Sequence, residues 1–309
     1  MTDNKFSAVV SDSTLAMYHS NIRTIAKKVG VTDWIKNADW LFANQNEVFK
    51  MLEDTENNHT RKNRVSSLLW FAELHPTPAP IIYRLKALQM DCFERLQKGY
   101  ATQEKNEKQE ANWITVEEMD AKIAEMFAKS PKSVANSYIH NIKRIMLLFH
   151  RHLPIRNDLR LAKIMTKAKY DALADKSAEF NYLIQDQATH EWIFILNKYK
   201  TAGSYGQRIL NIPIVVAEKL NEEYSATLKH DVNDEFFYQK KDGTPVSTSQ
   251  YTNTFNSIFP DKKVGSTQVR RTIVSSVHQP KPNELKAKQD LAFIMQHSVG
   301  TAQGVYAKI

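Results

Sequence analysis

A histidine, a serine and a tyrosine lie close together near the C-terminal end of the sequence. In the segment FIMQHSVGTAQGVYAKI, His297 and Ser298 are followed by Tyr306, nine positions after the histidine. A phenol oxygen is a nucleophile once its proton is lost or shared, and an imidazole donates or accepts protons near neutral pH. Each of these side chains alone is more often structural, so their joint spacing is what indicates chemistry.

Basic residues upstream could supply the positive charge that such a nucleophile needs. The segment TQVRRTIVSS contains Arg270 and Arg271, LPIRNDLRLAKI contains Arg156, and NKYKTA contains Lys200. A planar guanidinium donates paired hydrogen bonds to phosphate oxygens, whereas an ammonium is a compact charge that can also give up a proton. Basic pairs on solvated surfaces are common, so each residue alone is weak evidence.

Taken in order along the chain, these segments resemble the motifs of the tyrosine recombinases and integrases. His297, Ser298 and Tyr306 match the final motif of that family, in which a tyrosine follows the histidine by nine residues. Gln296 stands where the family usually has glycine. The resemblance therefore nominates Tyr306 as the nucleophile and His297 as a donor to the same phosphate.

The upstream motifs also have counterparts. Arg270 matches the arginine of the His-x-x-Arg motif, with Thr267 in the place of the histidine. Arg156 matches the first arginine, and Asp158 is its orienting carboxylate. Lys200 lies in a Lys-Thr-Ala sequence similar to the Lys-Thr-Gly of phage-type enzymes. Lys198 is the substitute for it.

The resemblance implies a site-specific DNA recombinase or integrase that cleaves and rejoins strands through a 3′-phosphotyrosine intermediate. It implies no cofactor, no metal, no ATP and no small-molecule substrate, with double-stranded DNA as partner and a homotetramer on the recombination sites. The implied residues are of two kinds. The catalytic set is Arg156, Lys200, Arg270, His297 and Tyr306, and the supporting set is Asp158, Thr267 and Ser298.

Two alternatives remain open. A type IB topoisomerase uses the same nucleophile and fold, but its Ser-Lys-x-x-Tyr signature is not present, since Ala302 and Gln303 stand at those positions. A catalytically silent DNA-binding protein of recombinase descent is the second, and Thr267 favours it. The sequence also has a looser similarity to recombinases of large DNA viruses and mobile elements. This similarity allows the interpretation that the protein integrates a viral genome in an infected host cell.

Composition favours a nucleic-acid partner. The 309 residues carry a net charge of +8 with a pI near 9.3, and most of the excess lies after residue 105. Such a balance favours a polyanionic partner, although a solvated face of a protein that binds no polyanion can carry the same charges. The only cysteine, Cys92, cannot form an internal disulfide, and positions 1–30 lack the apolar run of a signal peptide. These features predict a protein of the cytoplasm or nucleus that does not insert into membranes.

Hydrophobic periodicity predicts a mainly α fold of the α+β class in two domains. Residues 1–98 form four helical patterns and are interpreted as a helical core-binding domain that clamps DNA. Residues 99–112 are polar and predict a linker. Residues 113–309 then form the catalytic domain, where Thr115 and Glu118 have the spacing of a capping box.

Strand character is confined to the catalytic domain. The segments 192–196, 209–216 and 235–239 are short and rich in β-branched or aromatic residues, which predicts one small antiparallel sheet. Between the first two segments lies the lysine-bearing stretch, with the composition of a hairpin tip near a ligand.

Further basic residues are candidates for phosphate contacts. The run RKNR either follows the DNA backbone or is an exposed helix face, and both readings carry equal weight. The DNA-binding candidates are Arg61, Lys62, Arg64, Lys198 and Arg271. Only three residues follow Tyr306, so either assembly differs from that of relatives with a docking C-terminal helix or the chain was shortened.

Overall fold

The computed structural model describes most of the chain. The described residues are 10–129, 134–176, 179–229, 235–278, 291–295, 298, 301, 305 and 306. The chain folds into two compact units, Met1–Thr102 and Gln103–Ile309.

All regular secondary structure in the described part of the first unit is helical. Its helices are α1 (Asp12–Lys28), α2 (Asp39–Ala43), α3 (Gln45–Glu53), α4 (Asn58–Leu74) and α5 (Ala79–Ala101). The Ser11 hydroxyl accepts a hydrogen bond from the Thr14 amide and begins α1, and Gly30 follows its end at a φ of +78°. A serine N-cap and a glycine in the left-handed region after the last turn are common ends of helices.

Apolar stripes of these helices form the core of the first unit. Ile22 and Ile25 of α1 are fully buried, and they share a cluster with Phe49, Leu68 and Leu85. Asn44 divides one of the four predicted helical patterns into α2 and α3. The last helix continues to Ala101, into the stretch predicted as linker.

The second unit joins helices to a small sheet. Its helices are α6 (Glu107–Ala111), α7 (Val116–Ala128), α8 (Val134–His152), α9 (Lys167–Ala172), α10 (Ala202–Tyr205), α11 (Ile214–Lys229), α12 (Thr248–Asn256) and α13 (Ser266–His278). A 3₁₀ helix, Asn157–Leu161, follows α8. The capping box predicted for Thr115 and Glu118 is confirmed at the start of α7, and α6 lies inside the predicted linker.

The sheet has four strands in the order β1 (Ala162–Thr166), β2 (Asn181–Gln185), β3 (Trp192–Leu196) and β4 (Arg208–Asn211). The pairs β2–β3 and β3–β4 are antiparallel, but β1 and β2 are parallel, so the sheet is mixed and the expectation of a purely antiparallel sheet is wrong. The crossover through α9 allows the parallel pair, because parallel strands need a connection that returns to the same end.

Two predicted strands also differ from the structure. The third predicted segment, 235–239, forms only isolated bridges, of which Lys163 with Phe236 lies at the edge of the sheet. The segment 209–216 is a strand only as far as Asn211, since Pro213 has no amide hydrogen to donate and α11 begins at Ile214. Strands β1 and β2 were not predicted, because five-residue buried runs look alike whether they are strand or helix.

Candidate active site

A polar cleft of about 280 Å³ opens on the second unit. Its walls are formed by Arg156 and the 3₁₀ helix that follows it, by the start of α12 and by the start of α13. Four of the predicted site residues line this cleft: Arg156, Asp158, Thr267 and Arg270. The first two lie more than one hundred positions before the last two in the sequence.

The turn that carries Arg156 is anchored from inside. Both ring nitrogens of the buried His150 face carbonyl oxygens, Nδ1 that of Met146 at 3.0 Å and Nε2 that of Arg156 at 3.1 Å. Burial lowers the pKa of His150 to about 4, so the ring is neutral at pH 7 and can donate to only one of the two carbonyls. The histidine fixes the backbone of Arg156 against α8.

A second anchor ties the same turn to the other walls. The side-chain oxygen of Asn157 accepts a hydrogen bond from the Ser266 hydroxyl at 2.7 Å, and its Nδ2 donates to the Thr252 hydroxyl at 3.1 Å. One amide thus joins the 3₁₀ helix to α12 and α13. The cleft walls are held by polar side chains rather than by apolar packing alone.

Arg270 lies deep in the cleft. Its side chain is 4% exposed, and its Nη2 donates to the Thr267 hydroxyl at 3.3 Å. Among the described residues, its Nε and Nη1 have no hydrogen-bond partner. Burial lowers the pKa of Arg270 to about 10, an effect that the nearby Tyr306 opposes, so the guanidinium is still charged near pH 7. Unused N–H donors on a buried cation suit an anionic ligand.

Tyr306 lies against this guanidinium. The Cζ of Arg270 is 5.3 Å from the centroid of the Tyr306 ring, within the range of a cation–π contact. The ring is half-buried and packs against the core of the unit. The structure thereby brings the predicted nucleophile to the predicted second arginine.

Comparisons with known proteins bear on the fold of the chain alone. No protein-family model matches the chain, and a search of curated proteins finds no match. The crystal structure of XerA recombinase aligns over 97% of this chain and 89% of its own, with 13% identity and a TM-score of 0.42. The Tn1549 transposon integrase in complex with transposon right-end DNA aligns over 98% and 91%, with 11% identity and a TM-score of 0.53. The chain has the tyrosine recombinase fold.

The lysine-bearing stretch of this tyrosine recombinase fold is the connection from β3 to β4, residues 197–207, named here the β3–β4 connection. Lys198 and Lys200 are both exposed, and neither belongs to the described walls of the cleft. Between them Tyr199 is buried, and its hydroxyl donates to the Gly206 carbonyl at 2.6 Å. The connection is thus folded back on itself, with both ammonium groups available at the surface.

The remaining predictions for the final motif are tested only in part. His297 and Gln296, like Ala302 and Gln303, lie outside the described residues. Ser298 is exposed, and its oxygen accepts a hydrogen bond from the Thr301 amide at 3.1 Å. This hydrogen bond joins two residues that are three positions apart in the chain.

The DNA-binding candidates have different surroundings. Arg61 is 7% exposed, and its Nη1 is 3.7 Å from the Asp91 carboxylate, which argues against a direct phosphate contact. Arg64 donates to the Thr55 hydroxyl at 2.9 Å, while Lys62 is half-buried. Arg271 is half-buried beside Arg270.

Sequence reasoning missed the residues that support the cleft, namely His150, Asn157 and Asn181. Each is a polar residue with partners that residue type alone does not reveal, and only folding brings them together. One signal was visible for two of them. His150 directly follows the apolar run IMLLF, and Asn181 directly precedes YLI. A polar residue beside a buried run needs a hydrogen-bond partner.

Two structural findings bear on other kinds of site. In the described part of the chain, no group of His, Cys, Asp and Glu side chains is arranged to hold a metal ion. None of the helices described is both long enough and apolar enough to cross a bilayer.

Proposed function

We propose that the chain is a DNA strand-exchange enzyme that cleaves and rejoins DNA through a phosphotyrosine at Tyr306. One observation carries the proposal. The ring of Tyr306 lies 5.3 Å from the guanidinium of Arg270, whose buried Nε and Nη1 have no described partner. A phosphate held by those donors lies within reach of the phenol, and the tyrosine recombinase fold supports the same reading.

The charges of the cleft fit the transition state of phosphoryl transfer. Attack on a phosphodiester places extra negative charge on the nonbridging oxygens, and preorganised guanidinium groups stabilise that charge most strongly where water is excluded. Arg270 supplies one such group from α13, and Arg156 supplies another from the residue before the 3₁₀ helix. The Thr267 hydroxyl is a neutral donor in the place where the family usually has histidine, and we propose that it contacts the same phosphate.

The proposed step conserves atoms and charge. The phenol oxygen of Tyr306 forms a bond to phosphorus, the bond from phosphorus to the 5′ oxygen breaks, and the phenolic proton leaves to water. Lys200 gives a proton to the departing 5′ oxygen and regains one from water. The 3′-phosphotyrosine keeps the energy of the broken bond, so a 5′-hydroxyl can reverse the step. His297 is proposed as a further donor, and double-stranded DNA bound by a homotetramer as the substrate complex.

A covalent-trapping experiment tests this function. A library of nicked DNA duplexes is incubated with the protein, and complexes that survive denaturation are recovered and sequenced. Loss of the short fragment beyond the nick prevents rejoining, so we expect a stable adduct on a subset of sequences and none with Tyr306→Phe. Phenylalanine removes only the hydroxyl, which makes this variant a matched control for DNA binding.

The alternatives give different results in this experiment and in a plasmid-relaxation assay. DNA binding with no adduct on any duplex would overturn the proposal in favour of a silent DNA-binding protein. Relaxation of plasmids that lack the selected sequence, at the same rate as plasmids that contain it, would instead indicate a type IB topoisomerase.

A further inference from the structure

Asn181, the first residue of β2, is fully buried and uses every hydrogen bond that its side chain can make. Its Nδ2 donates to the carbonyl of Asp158 at 2.9 Å and to that of Lys198 at 3.1 Å. Its Oδ1 accepts from the amides of Asn197 at 2.9 Å and Lys198 at 2.8 Å. An asparagine has two N–H donors and one oxygen with two lone pairs, so its capacity is filled.

These four bonds join two segments that carry different site residues. The carbonyl of Asp158 belongs to the cleft wall that contains Arg156, and the other three groups belong to the start of the β3–β4 connection, which carries Lys198 and Lys200. The register between β2 and β3 ends at Tyr182 with Ile195. The side chain of Asn181 therefore continues the link between β2 and the chain after β3 where backbone pairing stops.

We propose that Asn181 is a positioning residue that fixes the β3–β4 connection relative to the arginine-bearing wall of the cleft. It touches no substrate and acts through the lysine that protonates the leaving 5′ oxygen. The inference rests on the proposed function. A general acid must lie within hydrogen-bond reach of the atom that it protonates, and a displacement of about 1 Å can lower a rate by about 10²-fold. An exposed connection needs such an anchor because its lysines are not held by packing.

Two variants separate the parts of this link. Asn181→Leu has a similar volume and removes all four bonds. Asn181→Asp keeps an oxygen that can accept from the amides of Asn197 and Lys198, but it loses both donors, to the carbonyls of Asp158 and Lys198. If the bridge between the two segments is what matters, both variants have the same kinetic defect. A normal cleavage rate in Asn181→Asp together with a slow cleavage rate in Asn181→Leu would overturn the proposal that the link between the two segments matters.

The kinetic test changes the leaving group. A duplex with the sequence recovered from the covalent adduct is made with oxygen or with sulfur at the 5′ bridging position of the scissile phosphate. A thiolate leaves without a proton, since a thiol has a pKa near 8.5 whereas an alcohol is far less acidic. We expect about 10²-fold slower cleavage of the oxygen substrate by both variants, and rates within about threefold of the unaltered protein on the sulfur substrate.

Gln185→Leu is the matched control. Gln185 is the last residue of the same strand, is buried to a similar extent, and donates to the Asn221 side chain at 2.5 Å. Its loss should leave the ratio of oxygen to sulfur cleavage unchanged. An equal loss of cleavage on both substrates in the Asn181 variants would mean a merely structural role and would overturn the proposal.

Hydrogen exchange on the unaltered protein tests the anchor even if the variants do not fold. The amides of Asn197 and Lys198 should exchange as slowly as those of β3, although they lie beyond the strand. Fast exchange at both would overturn the anchor. This measurement needs no DNA, so it is independent of the proposed function. If the unaltered protein cleaves neither substrate, the proposed function is wrong, and the exchange result still decides whether Asn181 holds the connection.

Discussion

Arg270 has buried donor atoms that lower the stability of the free protein and suit an anionic ligand. A buried donor without a partner costs about 1–3 kcal/mol of folding free energy, and this guanidinium has two such atoms among the described residues. Its cation–π contact with Tyr306 offsets part of that cost. The arrangement makes sense if a phosphate completes the set of partners.

Replacing Arg270 by an apolar residue of similar length should therefore stabilise the free protein. We expect Arg270→Met to raise the free energy of unfolding by about 1 kcal/mol, measured by urea denaturation, and to abolish adduct formation. Arg271→Met is the control on the same helix, and its half-buried side chain should give a smaller change. A clear decrease in the stability of Arg270→Met would contradict the view that Nε and Nη1 of Arg270 lack hydrogen-bond partners among the described residues.

His150 predicts how stability depends on pH. Burial lowers its pKa from 6.5 to about 4. Between these values the unfolded chain binds more protons than the folded one, so stability falls as the pH falls from 6.5 towards 4. The unaltered protein should lose about 2–3 kcal/mol more than His150→Gln between pH 7 and pH 4.5 in urea unfolding. Equal losses in the two proteins would show that the ring does not stay neutral.

At the scale of elements, the sequence predicted those features that depend on local signals. The capping box of α7 and the strand Trp192–Leu196 follow from residue type and spacing within a few positions. The parallel pairing of β1 with β2 could not be predicted, because it depends on a crossover and on burial rather than on a local pattern.

The same limit applies to the site. The positions of Arg156, Arg270 and Tyr306 could be chosen from motifs, because motif order is a property of the sequence. The link made by Asn181 could not, because its partners Asp158 and Lys198 lie 23 and 17 positions away and are bonded through main-chain atoms. Main-chain partners leave no signature in residue type.

The β3–β4 connection contains a glycine that other residues should not replace. Gly206 has φ +66° and ψ −162°, a region that is essentially restricted to glycine. Gly206→Ala should cost about 1–3 kcal/mol of stability by chemical denaturation. Gly203→Ala is the control in the same connection. Its added methyl meets nothing within 4 Å and lies in α10, so stability should be unchanged or slightly higher. Equal effects would mean that backbone strain at Gly206 is unimportant.

At the scale of the whole molecule, each of the two units has a hydrophobic core of its own. In the proposed function, the net charge of +8 supplies an attraction for DNA that does not depend on sequence. The motif residues would then decide where chemistry occurs, and the overall charge how firmly any duplex is held.

DNA affinity should accordingly fall steeply with salt. A protein that neutralises about six to ten phosphates loses about 10³–10⁵-fold in affinity between 50 and 200 mM salt, and we expect a loss in this range by fluorescence anisotropy with random-sequence duplexes. Tyr306→Phe should show the same slope, because it changes no charge. A flat salt dependence would mean that the basic residues are not a phosphate-binding surface.

The unfilled donors of Arg270 have a practical consequence for handling the protein. If the cleft binds one phosphate group of a polymer, as proposed, it cannot distinguish that group well from a small oxyanion of similar size and geometry. Sulfate or inorganic phosphate in a purification buffer would therefore bind in the cleft at Arg270 and compete with DNA. The choice of buffer salt becomes part of every measurement on this protein, and chloride-based solutions are the proper reference condition.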